Sequence, residues 1–328
     1  MATITRCELR DVDEQALALN GFRQFYEQLG RGRFHGRVWQ LMSDGGFMLR
    51  ESTNRSLRQR FTPPPEHLAL AVPLAVQPGS LFAGRPLERE SLMVLGEHDE
   101  YELLSTGDLD VIGLSVHRSL LDQLAPAKAD WLRRALAERN LPLAPDAAAA
   151  IRLMLMAVCE QAERDHAAGA PASLGDAADD LDLLSSTLTQ TLVLAMAGDR
   201  ADQASAIPRR ADSRLKVVKR AIDFMRSQLQ QDIGVPEICT AACASRRTLQ
   251  YCFEEFLHTT PQAYLRALRL NEARRALKSR ADQPITELAS ELGFSSASHF
   301  TRHYKLMFDE LPSETLKAYG LNAAGPGV

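Results

Sequence analysis

This chain lacks the features that would place it in a membrane, outside the cell or in a common enzyme class. Nowhere does an uninterrupted apolar run approach the roughly 18 residues of a transmembrane helix, so no membrane span is expected. The opening residues, Met1-Ala2-Thr3-Ile4-Thr5-Arg6-Cys7-Glu8, form no apolar signal core, which argues against export and for a cytoplasmic location. Five cysteines, an odd number without disulfide spacing, fit a reducing compartment. The eight histidines contain no His-x-His pair of the kind a non-haem metal site needs beside a carboxylate. A Gly-x-Ser-x-Gly elbow, a Walker loop and a dinucleotide glycine fingerprint are all missing. These absences point away from catalysis and from any cofactor.

The chain does hold the composition of a soluble globular protein, 45% hydrophobic and 24% charged, and at 328 residues it has room for two domains. Its net charge of −4 hides an asymmetry. Residues 213–328 carry 16 Lys and Arg against 12 Asp and Glu, while the preceding part carries 22 against 30. An acidic body with a basic C-terminal end is the footprint of a polyanion-binding domain attached to a separate module.

Within that basic end the sequence repeats itself. Val235, Ile238, Cys239 and Ala242 are spaced i, i+3, i+4, i+7, followed by Leu249, Phe253 and Phe256 and a closing Pro261. Ile285, Leu288, Ala289 and Leu292, then Phe300, Tyr304 and Met307 and a closing Pro312, repeat the pattern. Each set predicts one apolar helix face followed by the inner stripe of a second helix. The offset is 50 residues over the first helix and 51 over the second, so the second turn is one residue longer. One such unit cannot bury its apolar face alone, whereas two joined by a helix can. Gln262–Ser279 supplies that helix: it has no Gly or Pro and many strong helix formers. At 1.5 Å per residue it spans roughly 27 Å, against about 34 Å between half-sites one turn of DNA apart.

The N-terminal part has different chemistry. Arg37–Met42 and Phe47–Glu51 flank Ser43-Asp44-Gly45-Gly46, a hairpin signal because Asp-Gly and Gly-Gly tolerate positive φ. Apolar runs at His67–Val76, Leu92–Leu95, Tyr101–Leu104 and Asp110–Val116 alternate with turn chemistry. They predict a small barrel or sandwich over about residues 30–117. Helices are expected over Arg118–Leu124, Ala129–Arg139, Pro145–Ala168 (capped by Asp146) and Ser173–Ala197. The stripe Leu181, Leu184, Leu188, Leu192 and Ala195 on the last is read either as internal core or as a dimer surface. Residues 198–213 are expected to be a flexible linker between a domain over 1–200 and a DNA-binding domain over 214–320. The fold class is thus α+β, an N-terminal sheet domain with helices followed by an all-α domain of two helix-turn-helix units joined by a linker helix.

Three elements match a known family in order and spacing. Ser245–Phe253, the bridge Pro261–Leu277 and the segment Ile285–Pro312 together resemble the AraC-type (AraC/XylS) transcription regulators. The barrel-then-helices order of residues 1–200 is similar to the cupin-like sensor domains common in that family. Two departures stand out: Cys243 replaces the family's usual turn glycine, and Asp309-Glu310-Leu311-Pro312 lacks the glycine before the final proline. The resemblance implies a DNA-binding regulator whose partners are double-stranded DNA, a small-molecule effector, RNA polymerase and a second copy of the chain. Control by a protein partner, with the barrel serving only dimerisation, is the alternative. A cupin-type metalloenzyme fused to a DNA-binding domain is the least favoured reading.

Candidate contacts follow from helix geometry. With Leu249, Phe253 and Phe256 inward, Arg247, Gln250 and Tyr251 face outward near the N-terminal end of the first recognition helix. Arg matches guanine and Gln matches adenine in bidentate pairs. Ser245 is the expected N-cap, and Arg246 is expected to meet a phosphate. On the second helix the outward set is Ala297, Ser298, Thr301 and Arg302, with Lys305 further along for phosphate; by resemblance these are the family's base-facing positions. Trp39, Arg50 and Glu51, with the segment Arg55–Arg60, are polar or aromatic enough to line an effector pocket. Other clusters read more plainly as structure: Cys239, Cys243 and Cys252 as core and turn, His299 and His303 as packing or phosphate contacts, Leu153–Met156 as apolar helix.

Overall fold

The computed structural model describes residues 3–43, 45–97, 99–167, 177–200, 209–279 and 283–323. Contacts divide the chain into two units, Met1–Tyr26 together with Phe34–Ala206, and Glu27–Arg33 together with Ile207–Val328. No described helix is long and apolar enough to cross a membrane.

The first unit begins earlier than the hydrophobic pattern suggested. Strand β1 (Thr3–Leu9), helix α1 (Val12–Ala18) and strand β2 (Arg23–Gln28) precede β3 (Gly36–Ser43) and β4 (Gly46–Thr53). Half-exposed β1 lies at a sheet edge and has no continuous apolar run to betray it. Strands β5 (Leu57–Thr62), β6 (His67–Val76), β7 (Leu81–Phe82), β8 (Arg85–Pro86), β9 (Ser91–Leu95), β10 (Tyr101–Ser105) and β11 (Leu109–His117) follow. After a 3-10 turn at Arg118–Gln123 come α2 (Pro126–Glu138), β12 (Asn140–Pro142), α3 (Pro145–Ala167) and α4 (Ala177–Gly198). Asp146 lies in the first turn of α3 rather than at its cap, because Pro145 already opens the helix. The predicted hairpin is present, with Ser43 paired to Gly46. Gly46 has φ +147°, and a Cβ there would lie 2.1 Å from the Ser115 carbonyl oxygen, so only glycine fits.

The strands form two antiparallel sheets, in the orders β1-β3-β4-β11-β6-β9-β12 and β2-β5-β10-β7-β8. No pairing among the described residues joins their edges, so of the barrel or sandwich expected here the sheets form the sandwich, and no closed cupin-like barrel is seen among the described residues. Strand β11 is buried on both faces, as its nearly continuous apolar run demands. Leu109 and Val111 join Phe82, Met93 and Tyr101 between the sheets. Ile112, Leu114 and Val116 face the opposite way and pack with α3 and α4. Leu184, Leu188, Leu192 and Ala195 belong to that helix–sheet core, as the internal-core reading of the stripe expected. Of the expected linker, residues 201–208 lie outside the described residues, while α4 runs to Gly198 and α5 (Arg209–Ser227) includes Ser213.

In the second unit α5 is followed by α6 (Val235–Ala242), α7 (Arg246–Leu257), α8 (Pro261–Ser279), α9 (Ile285–Glu291), α10 (Ala297–Phe308) and α11 (Pro312–Ala323). Both helix-turn-helix pairs, α6–α7 and α9–α10, and the bridging helix are where the repeat predicted them. Helix α8 is buried on most sides and serves two cores. Its Tyr264, Leu265 and Leu268 join Ile238, Leu249 and Phe253, whereas Leu270, Ala273 and Leu277 join Leu288, Phe300 and Tyr304. Arg269 adds a polar tie, its guanidinium donating to the carbonyls of Leu229, Gln231 and Gly293.

The segment Glu27–Arg33 was not foreseen in this unit. Gln28 N donates to Asn271 Oδ1 at 2.9 Å, and Asn271 Nδ2 donates back to the Gln28 carbonyl at 2.8 Å. Gln28 Nε2 and Gly32 N both donate to the Met307 carbonyl at the end of α10. Glu27 pairs with Arg226, both side chains largely buried. The cores receive Leu29 at the same place.

Candidate nucleic-acid interface

Each recognition helix starts on a serine cap. Ser245 Oγ accepts from Thr248 N at 3.1 Å, and Ser296 Oγ accepts from His299 N at 3.2 Å. Neither α7 nor α10 has an acidic residue in its first turn, although α6 and α9 carry Glu237 and Glu287 there. The first turns of the two recognition helices therefore bring no carboxylate of their own to their positive ends, which suits them to meeting phosphate.

The outward residues are placed as helix geometry requires. Arg246, Arg247, Gln250 and Tyr251 are exposed on α7, with Leu249 and Phe253 fully buried behind them. On α10, Ser298, Arg302 and Lys305 are exposed and Ala297 and Thr301 half-buried, backed by Phe300, Tyr304 and Met307. Tyr251 is engaged by a neighbour: the Arg214 guanidinium lies 5.4 Å from its ring centroid. Arg214 also pairs with Glu255 at 3.0 Å.

Sequence reasoning missed two cations beside α10. Burial, then the charges of Arg266, His299, Arg302 and Arg31, push the His303 imidazole below its ordinary pKa. Arg31 comes from the Glu27–Arg33 segment and Arg266 from α8, so the positive field around the second recognition helix draws on three chain regions. His299 and His303 meet Nε2 to Nε2 at 2.9 Å, so one ring must donate and the other accept. Both cannot be cationic in that arrangement.

The two turns differ in geometry. Cys243 occupies a left-handed conformation, φ 51° and ψ 47°, where glycine is favoured. Gly293 fills the equivalent position with φ +70°, and a Cβ there would sit 2.8 Å from the Arg269 guanidinium. Asp309, in place of the family's glycine before Pro312, is likewise left-handed at φ 57°. From the left-handed residue to the serine cap there is one more residue in the second copy, as the repeat offsets predicted. Cys252 is buried in the first core, where desolvation raises its thiol pKa, while Cys243 is exposed.

The three residues named for an effector pocket separate by strand alternation. Trp39 and Arg50 are cross-strand partners on the outer face of the large sheet. There Trp39 Nε1 donates to Glu163, and Arg50 pairs with Asp110 at 2.7 Å. Glu51 faces the opposite way and lines a cavity between the sheets, formed with Phe22, Leu49, Phe61, Met93 and Leu103. The cavity is partly open at its mouth and has a volume of about 60 Å³. Its polar lining consists of Gln24, Glu51 and Gln59. Within the Arg55–Arg60 segment, Gln59 reaches the cavity, whereas Arg58 is buried in an ion pair with Glu102 at 2.7 Å.

Comparison with known proteins concentrates on the C-terminal region. A family described as a helix-turn-helix domain matches residues 238–318. The XylDLEGF operon transcriptional activator of Pseudomonas putida is 34% identical over 101 residues, 30% of this chain and 32% of its own. The probable thc operon regulatory protein of Rhodococcus erythropolis is 33% identical over 103 residues, 31% of each chain. Among solved structures, an AraC-type transcriptional regulator from Chromobacterium violaceum is 31% identical, with a TM-score of 0.31, covering 36% of this chain and 99% of that one. The chain spans about a third of the length of these curated relatives. Its C-terminal region is an AraC-type helix-turn-helix domain.

Proposed function

Starting from that AraC-type domain, we propose that the chain is a sequence-specific, DNA-binding transcription regulator controlled by a small molecule held in its N-terminal unit. The observation that carries the DNA-binding reading is the pair of serine-capped helices with exposed Arg247 and Arg302, both anchored in cores that share α8. Helix α8 has 19 residues and spans roughly 28 Å, suited to two major-groove contacts on one face of a bent or tilted duplex. Arg247, Gln250 and Tyr251 then read one half-site, and Ala297, Ser298, Thr301 and Arg302 the other, with Arg246 and Lys305 on phosphates. Genome-wide mapping of bound sites followed by footprinting tests this. Two protected segments about one helical turn apart are expected. Binding no tighter to mapped sites than to salt-matched random DNA overturns it.

Control by a small molecule rests on the largely apolar cavity at Glu51, which a purely structural dimerisation module does not need. An occupant changes regulation only through differential affinity for two states of the protein. Contact with RNA polymerase and assembly into a homodimer complete the proposal. Sedimentation with and without DNA tests the dimer, with a constant monomer mass as the opposing result. A metabolite-library thermal-shift screen on the full chain separates small-molecule control from control by a protein partner.

A further inference from the structure

Resting on that effector reading, we infer that the cavity between the sheets takes a small uncharged molecule, an alkyl or aryl body ending in one hydrogen-bond-accepting oxygen such as a ketone, ester or ether. The distribution of polar groups carries the inference. Apart from Gln24, Glu51 and Gln59, the described residues lining the cavity are apolar or glycine, with no Lys, Arg or His among them. A carboxylate ligand would therefore meet no countercharge and would approach a carboxyl group instead. A sugar would bring hydroxyls that the apolar walls cannot satisfy, each costly to bury unpaired.

Proton counting at the polar end decides the charge of the site. Tyr26 Oη has one hydrogen, yet it lies within hydrogen-bond distance of Gln24 Oε1 and, at 2.8 Å, of Glu51 Oε1. With the Tyr26 hydrogen donated to Gln24, the second contact is satisfied when Glu51 carries a proton and donates it to Tyr26. Burial, the largest influence on this carboxyl, acts in the same direction and raises the Glu51 pKa. A neutral Glu51 leaves the cavity without net charge. Holding Gln24 Oε1 toward Tyr26 leaves its Nε2 group buried without a hydrogen-bond partner. The Gln59 amide is already turned toward Glu51 and Tyr26. The buried Gln24 donor asks the occupant for an acceptor, and an ammonium ion, which has only donors, does not provide one.

Calorimetric titration of the full chain near pH 7.5 with acetophenone, benzoate, benzylammonium, glucose and toluene tests the inference. Acetophenone should bind at least tenfold tighter than benzoate, benzylammonium or glucose. Gln24→Leu should weaken acetophenone at least fivefold while leaving toluene within twofold, a split that a general loosening of the cavity does not produce. Glu51→Gln, which stays neutral, should keep acetophenone within threefold. Preferred binding of benzylammonium, lost in Glu51→Gln, overturns the uncharged class in favour of an amine cation. Preferred binding of benzoate or glucose, or no binding by any probe, overturns it as well. Ala71→Phe, which fills the cavity, judges the effector reading separately. If the folded variant controls a reporter promoter as the parent chain does under every condition, that reading fails whatever the probes show.

Discussion

The two helix-turn-helix copies share one hydrophobic pattern and close their turns by different means. The first turns on Cys243, a side chain held in a left-handed conformation, and reaches its serine cap two residues later. The second turns on Gly293, takes one residue more, and packs that glycine against Arg269 of the shared helix. Their outward faces differ as well, with Arg247, Gln250 and Tyr251 on one and the smaller Ala297 and Ser298 beside Arg302 on the other. Repetition of the apolar stripe thus reproduces the fold, while the turn and the outer face are free to diverge. Unequal contributions from the two half-site contacts are the expected result.

The strongest challenge to this comparison is in the cores. Phe253→Ala and Phe300→Ala should each cost about 3–5 kcal/mol, since both rings are fully buried. Because α8 belongs to both cores, hydrogen exchange after either change should show both copies losing protection together. Independent loss in one copy would mean two separable readers. Next in size, Gly293→Ala should cost about 2 kcal/mol in urea unfolding, combining a left-handed alanine with displacement of Arg269. Cys243→Ala, already left-handed, should cost far less, and equal losses would erase the difference between the turns.

At the outer faces, Arg302→Ala should cost about 1–3 kcal/mol on the cognate site, read by binding titration, and Arg247→Ala should fall in the same range. Unchanged affinity removes that arginine from the reading set, and identical footprints for both variants contradict unequal half-sites. Smaller again, Cys243→Gly should raise stability by about 1 kcal/mol by relieving the left-handed strain.

The smallest effects concern pH and have opposite signs in the two units. His303 has a folded pKa below its ordinary 6.5, so its contribution is present above that value and is lost as pH falls toward the folded pKa. Glu51 is raised above its ordinary 4.5, so its contribution is full below that value and is lost as pH rises through the folded pKa. His303→Gln should flatten the acid side of the stability profile, and Glu51→Gln the side above 4.5. Profiles identical to the parent chain would contradict both assignments.

Legibility in the sequence followed periodicity. Strand β6 was readable to the residue, and both recognition helices with their serine cap at Ser245 followed from spacings of three, four and seven. Edge strands β1 and β2, and β12 with its three residues, were not readable, because half-exposed or very short strands carry no sustained alternation. Of the three residues named for one pocket, Glu51 reaches the cavity between the sheets, whereas Trp39 and Arg50 together line a separate open pocket with Arg6, Arg37 and Asp110. Adjacency along one strand placed Arg50 on the opposite face, and Trp39 pairs with Arg50 rather than with Glu51.

The sequence by itself determined the repeated helix pairs, the bridging helix and the outward arginines, since each depends on contacts between residues close along the chain or at a fixed helical period. Tertiary structure alone decided the rest. It set the sandwich of open sheets, the buried cluster of Gln24, Tyr26, Glu51 and Gln59, and the place of Gln28 and Arg31 beside α8 and α10. These arrangements join residues tens to hundreds of positions apart, as between Gln28 and Asn271. They arise from burying apolar faces and pairing the polar groups trapped with them, and no local period records that balance.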